Sequence, residues 1–271
     1  MKILYYLLIP VICLAQFSTF PKFQDYLSTS EDIIPLLELD GTNYDATAGV
    51  WTNTGSIADR DGIEQGTCLK NETPPACTFP QLAANFIRSE SFESDGGLLL
   101  ETGTIEIAFS LDDFNTASAL FSISDTAVAT TSFWIQVETD ESISLYNRDA
   151  GTWDYDISIG AGDWNSTAIK WHHLVWQIDE TGINPMRVFI DDTVRTLTKT
   201  VTTDTTQFIN NAALTTNKAR VKYAVGLAYD STPSAPMDGF IGVVRIYNTY
   251  LTAAQINSLY NELDAIYNFG D

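Results

Sequence analysis

Cations are scarce in this chain: 14 Lys and Arg stand against 35 Asp and Glu, a formal net charge of −21. A surface of that sign repels phosphate backbones, which excludes nucleic acid as a partner. It favours solubility and attraction for cations or basic partners instead. Histidine is nearly missing as well. The 2 present, His172 and His173, are neighbours, and neighbours on a strand point to opposite faces, so they cannot share one metal ion. Beside Trp171, Leu174, Val175 and Trp176 they read as buried scaffold histidines. No G-x-S-x-G elbow is present either, which removes a serine hydrolase.

Long apolar runs are limited to one. Ile3 to Leu14 follow Lys2 and precede Ala15, too short for a membrane span and flanked like a secretory signal. Cleavage is expected after Ala15, with Cys13 at the small-residue position before it. Bulky Ile12 argues against a lipoprotein cysteine. Residues 1–15 are therefore expected to be a signal peptide, and the mature chain to be secreted, extracellular or cell-surface, with no membrane span. Of the 3 cysteines, Cys68 and Cys77 remain after cleavage. An even pair in an oxidising compartment, so spaced, is expected to close one short disulfide loop.

The chain is instead rich in short alternating segments. Ile105, Ile107 and Phe109 alternate with Thr104, Glu106 and Ser110, the period of a half-buried strand. Further runs follow at 119–124, 132–138, 142–147, 152–158, 168–179, 186–191, 220–228 and 239–247, separated by Asp, Gly, Asn and Thr turns. Strands at this spacing without intervening helices predict a sandwich. One helix is expected. Thr252 and Gln255 form a capping-box pattern, and Ile256, Leu259, Leu263 and Ile266 repeat at helical spacing, an apolar face to lay against an end or edge of the sandwich. A threonine-dense stretch from Thr196 to Thr216 reads as an exposed strand or loop.

Two segments carry a family likeness. Trp171-His172-His173-Leu174-Val175-Trp176-Gln177-Ile178-Asp179 leads to Met186-Arg187-Val188-Phe189-Ile190-Asp191-Asp192. Met237-Asp238-Gly239-Phe240-Ile241-Gly242-Val243-Val244-Arg245-Ile246-Tyr247-Asn248 leads to Leu251-Thr252-Ala253-Ala254-Gln255-Ile256. They resemble the laminin G-like, concanavalin A-like family, in which a W-H-H-V-A strand leads to a V-Y-V-D-G hairpin and an F-D-G-x-I-D-D-V-R-I-Y-N strand to an L-S-x-x-E-I helix. Leu39-Asp40-Gly41-Thr42-Asn43-Tyr44-Asp45 with Gly49 to Gly55 is similar to the opening of some members. The resemblance implies an all-β, jelly-roll β-sandwich of two antiparallel sheets with a short C-terminal helix over residues 36–267. Residues 16–35, with Phe17, Phe20, Phe23 and Tyr26, precede it as an extension, and 268–271 follow as a tail. Gly242 and Val243 depart from the family's two aspartates, and Asp192 from its hairpin glycine.

The resemblance also implies a calcium site, with Asp40 and Asp238 as its residues, since oxygen ligation suits an acidic chain. Sugar binding needs flat aromatics beside amides and carboxylates; Trp51, Trp153, Tyr155, Trp164 and Tyr229 are the candidates. Asn71-Glu72-Thr73 and Asn165-Ser166-Thr167 have the form of N-glycosylation acceptors, so Asn71 and Asn165 are candidate glycan sites. The same sandwich supports endo-glucanases whose E-x-D-x-x-E strand sets two carboxylates about 5 Å apart. Here Glu138-Thr139-Asp140-Glu141-Ser142-Ile143 lacks the last acid, so no catalytic residue is expected. The expected function is a secreted, non-enzymatic module binding glycans or extracellular proteins. The alternative is a homo-oligomeric or polymeric subunit of a filament, sheath or coat, assembled through residues 16–35.

Overall fold

The computed structural model describes residues 33–57, 60–81, 85–89, 102–125, 132–149, 152–164, 170–179, 186–202, 219–223 and 234–269. The chain from Pro35 onward forms one compact unit.

Two antiparallel sheets face each other across an apolar core. The first is built on β7 (Thr102–Leu111), which pairs on one side with β12 (Trp171–Asp179) and on the other with β17 (Gly239–Tyr247). Beyond β12 lie β13 (Arg187–Ile190) and β14 (Thr193–Val194); beyond β17 lie β1 (Leu37–Asp45) and β5 (Pro75–Phe79), the latter joined to β4 (Leu69–Glu72). The second sheet runs in the order β6 (Phe86–Ser89), β16 (Ala219–Tyr223), β8 (Ser118–Asp125), β9 (Ser132–Val137), β10 (Ile143–Asp149), β11 (Thr152–Ile159) and β15 (Thr198–Thr202). At one end β2 (Val50–Asn53) and β3 (Gly62–Gln65) carry the pairing from β1 round to β6. β7 to β13, β16 and β17 are the strands the alternation predicts, with ends moved by a few residues; β1 to β6, β14 and β15 lie outside those runs.

Inward-facing positions alternate as a pleated strand requires. Ile87, Phe121, Ile135, Leu145 and Ile157 from the second sheet meet Ile105, Ile107, Phe109, Leu174 and Trp176 from the first in one cluster. The disulfide expected between Cys68 and Cys77 is present; both cysteines are buried against that cluster.

The expectation of a half-buried β7 needs correction. Thr104, Glu106 and Ser110, on the face opposite the core, are buried too. The cover is α1 (Ala253–Tyr267), which lies over the outer face of the first sheet rather than at an end or edge. Thr252 and Gln255 make both reciprocal bonds of the capping box that opens it. Its buried stripe is Ile256, Leu259, Leu263 and Tyr267; Ile266 turns outward. Four residues from Leu263 complete a turn back onto the sheet, whereas three do not here. Leu263, Tyr267 and Phe269 pack on Ala108 and Val243.

Beneath the helix sits a buried polar network. Glu106 meets His173 Nε2 at 2.9 Å and accepts the Tyr247 hydroxyl at 2.7 Å. Arg245 lies 3.6 Å from Glu106 and donates at 2.7 Å to both Glu38 and Glu262, tying β7, β1 and α1 to one guanidinium. Burial works against the Glu106 charge, but His173, Arg245 and Tyr247 together hold its carboxyl below the ordinary value. His172, on the opposite face, meets Asp191 at 2.9 Å. Both histidines are buried and partnered, as the sequence suggests.

Candidate functional site

The outer face of the second sheet assembles polar and aromatic residues in cross-strand rows. Directly opposed residues of antiparallel strands share a face. One row runs Arg88 (β6), Lys222 (β16), Ser122 (β8), Trp134 (β9), Tyr146 (β10) and Asp156 (β11). Two positions along, a second runs Arg220, Ser124, Ser132, Arg148 and Trp153, and on the other side Gln136, Ser144 and Ser158 form a third. The intervening residues, Phe133, Ile135 and Val137 on β9 and Ile143 and Leu145 on β10, point into the core. That alternation turns Trp134, Gln136, Ser144 and Tyr146 to the opposite face, on which Ser122, Ser124, Ser132 and Ser144 are buried.

Trp134 and Tyr146 stack at 4.5 Å with a 23° interplanar angle. Tyr146 donates its hydroxyl to Glu138 Oε1 at 2.6 Å, and Gln136 donates to the same carboxylate at 2.9 and 3.0 Å. Burial and the Glu138 hydrogen bond keep the Tyr146 hydroxyl protonated well above its ordinary range. Burial, then the Glu138 charge, raise the Asp156 carboxyl. Trp134 is mostly covered, while Tyr146, Gln136, Glu138, Arg148 and Asp156 are each partly exposed. The result is an aromatic pair fixed by an amide and a carboxylate, with further hydroxyls and acids beside it. Such a set takes sugars: the ring meets a C–H face, and the amide and acids meet hydroxyls.

Acid–base chemistry is poorly served here. Glu138 already accepts from two side chains. Asp140, the second acid of the hydrolase-like stretch, closes the β9–β10 turn by accepting from the Ser142 backbone N–H and hydroxyl at 3.0 and 2.6 Å. Glu141 sits in that turn with φ 66°.

The residues singled out in the sequence fall in several places. Trp51 is fully buried and donates its indole N–H to the Asp40 carbonyl at 2.5 Å, so it offers no ring face to a sugar. Trp164 is buried against Phe109, Phe114 and His172, and its indole N–H holds the Glu141 carbonyl at 2.7 Å. Both are core and turn supports, a correction to their candidacy: a loop position does not keep a tryptophan in solvent when its N–H finds a carbonyl inside. Trp153 and Tyr155 lie on β11, opposite Arg148 and Asn147 with a bulge between; their side chains lie outside the described residues, as do Tyr229 and Asn165. Asn71 is half-buried on β4.

Calcium does not fit the residues present. Asp40 Oδ1 accepts from the Thr42 backbone and hydroxyl at 2.8 and 2.7 Å, closing a local turn. Burial and the charges of Asp112 and Asp113 raise the Asp238 carboxyl, yet among the described residues no three His, Cys, Asp or Glu are grouped to hold a metal ion. Positions 242 and 243 lie under α1.

Sequence reading overlooked Trp134, Gln136 and Tyr146. The signal was present: folding the chain back at Asp140 sets Trp134 against Tyr146 and Gln136 against Ser144.

No family model matches the chain, and no curated protein matches it. Solved structures do. A carbohydrate-binding module of the Ruminococcus gnavus IT-sialidase, class CBM40, bound to α2,3-sialyllactose, is similar over 76% of this chain and all of its own, with TM-score 0.52 and 17% identity. The botulinum neurotoxin type C structure tied to cell entry through two ganglioside molecules is similar over 85% of this chain and 51% of its own, with TM-score 0.60 and 12% identity. The binding domain of botulinum neurotoxin DC, in complex with rat synaptotagmin II, gives TM-score 0.60 and 12% identity over 84% of this chain and 51% of its own. These are lectin-like β-sandwiches, and at such identities the likeness is one of fold.

Proposed function

We propose that this chain is a secreted, non-enzymatic glycan-binding module that uses the outer face of its second sheet. One observation carries the reading: Tyr146, stacked on Trp134 and bonded to Glu138, presents a fixed aromatic beside partly exposed polar groups at Gln136, Asp156 and Ser158. Stacked rings with few adaptable torsions bind at low entropic cost. Structural neighbours that bind sialyllactose or gangliosides support a glycan ligand. The disulfide supports an oxidising, extracellular location. Partners are glycans, or proteins displaying them.

The test is a broad glycan array probed with the mature protein, followed by Tyr146→Ala on the strongest hit. Truncating a central aromatic contact typically costs about 2 kcal/mol or more, so binding should fall about tenfold or more while the melting profile stays cooperative. A blank array, or a hit indifferent to Tyr146→Ala, overturns the reading.

A further inference from the structure

The partly exposed groups around Tyr146 agree in sign and in hydrogen-bonding sense. Trp134 on β9 takes one face of the tyrosine ring, and Asp156 stands on its other side, on β11. Among the described residues the Asp156 carboxylate makes no hydrogen bond and no ion pair. Glu138 is the second acid, and it accepts the Tyr146 hydroxyl. Gln136 turns its NH2 to Glu138 at 2.9 and 3.0 Å, which leaves the amide's carbonyl oxygen for a ligand. Arg148, two positions further along β10, is engaged, but by neither of these carboxylates. Burial, then the Glu138 charge, raises Asp156; the charges of both acids add to burial and the Glu138 hydrogen bond in raising Tyr146. All of these groups sit in one negative field.

An ionised carboxylate and an amide oxygen only accept hydrogen bonds. Their complement is a group rich in donors, and the field asks for a positive one. An ammonium meets both demands: it has three donors, no acceptor and a full charge. The face of a tyrosine ring attracts a cation as well. A sugar hydroxyl would satisfy the acceptors without relieving the repulsion between Glu138 and Asp156, and a sugar carboxylate or sulfate would add to it. Resting on the glycan reading above, we propose that the ligand is an amino sugar, recognised by its protonated amine. The amine lies between the Tyr146 ring and Asp156, where a charge-assisted hydrogen bond forms. Glu138 and the Gln136 oxygen accept from the neighbouring hydroxyls.

Calorimetric titration tests this with four sugars: the glucosamine disaccharide, its N-acetylated counterpart, lactose and 3′-sialyllactose, at about pH 6, where an amine of this kind is protonated. The free-amine disaccharide should bind at least tenfold tighter than its acetylated form, and sialyllactose no tighter than lactose. A chain of net charge −21 attracts any cation to some degree, and two variants separate that attraction from a site. Asp156→Asn should cut the preference for the amine severalfold; Asp156 makes no hydrogen bond among the described residues, so the fold has little to lose. Glu72→Gln removes an equal charge from an exposed side chain on β4 and should leave the preference where it was. An amine preference unmoved by Asp156→Asn, or cut as much by Glu72→Gln, overturns the proposal as general attraction. The acetylated disaccharide bound as tightly as the free amine, or sialyllactose bound tighter than lactose, overturns it and leaves the glycan reading standing. So does silence from the amine when the array holds another hit. A blank array together with four silent titrations sinks the glycan reading itself.

Discussion

Tyr267 closes over Gly242: a Cβ at position 242 would stand 2.5 Å from two ring carbons and the hydroxyl oxygen of the tyrosine. The ring cannot swing aside. It lies 4.5 Å from Trp171 and donates its hydroxyl to the Pro75 carbonyl at 2.9 Å. Gly242→Ala should therefore cost about 1–3 kcal/mol of overpacking, roughly 2–12 °C in melting temperature for a domain of this size. Gly242→Asp should cost more, because it adds a charge beneath the helix. Alanine normally steadies a strand relative to glycine, so an unchanged or raised melting temperature for Gly242→Ala would show the contact to be loose.

Glu106 gives the fold an acid limit. Its carboxyl is held below its ordinary value of 4.5 despite full burial. A depressed carboxylate binds its proton more weakly in the folded state, so its contribution is complete above about pH 4.5 and is lost as pH falls below that. Removing one partner of a buried charge pair costs about 3–5 kcal/mol. Glu106→Gln should thus lower stability at pH 7 and flatten the decline between pH 5 and 3. Thermal melts of both proteins across that range decide it: parallel profiles would mean that other carboxylates set the limit.

Much of this architecture was legible in the sequence, because two-residue alternation reports the core directly. Phe133, Ile135 and Val137 could only face inward together. What the alternation cannot report is a second layer. The polar residues of β7, Thr104, Glu106 and Ser110, look like solvent positions until α1 and Phe269 are placed above that face. The same holds for Tyr267, whose burial depends on the absence of a side chain at 242. The binding face was harder still. Trp51 and Trp164 are conspicuous as loop tryptophans, yet each is drawn inside by a carbonyl, while the Trp134–Tyr146 pair emerges only once two strands are set in register.

The Cys68–Cys77 bridge, with a sequence separation of 9, ties the residue before β4 to β5. Chain-entropy arithmetic for a loop of that size gives about 2.5–3 kcal/mol. Replacing both cysteines by alanine should lower the melting temperature by roughly 5–12 °C and leave glycan binding intact, since neither cysteine lies on the second sheet's outer rows. Loss of binding in a folded double variant would place the site near β4 instead.

Metal removal tests the mismatch at Asp40 and Asp238. A calcium ion bound only to the native state at a hundredfold excess over its dissociation constant adds about 2.7 kcal/mol, several degrees of melting temperature for a domain this large. The aspartate oxygen at position 40 is committed to Thr42, Val243 is packed under α1, and among the described residues no three His, Cys, Asp or Glu are grouped to hold a metal ion. Dialysis against a chelator should accordingly leave both the melting temperature and glycan affinity unchanged. A fall of several degrees, restored by calcium and not by magnesium, would mean that the ion is held by residues outside those described, and would reopen Asp238, where the charges of Asp112 and Asp113 already converge.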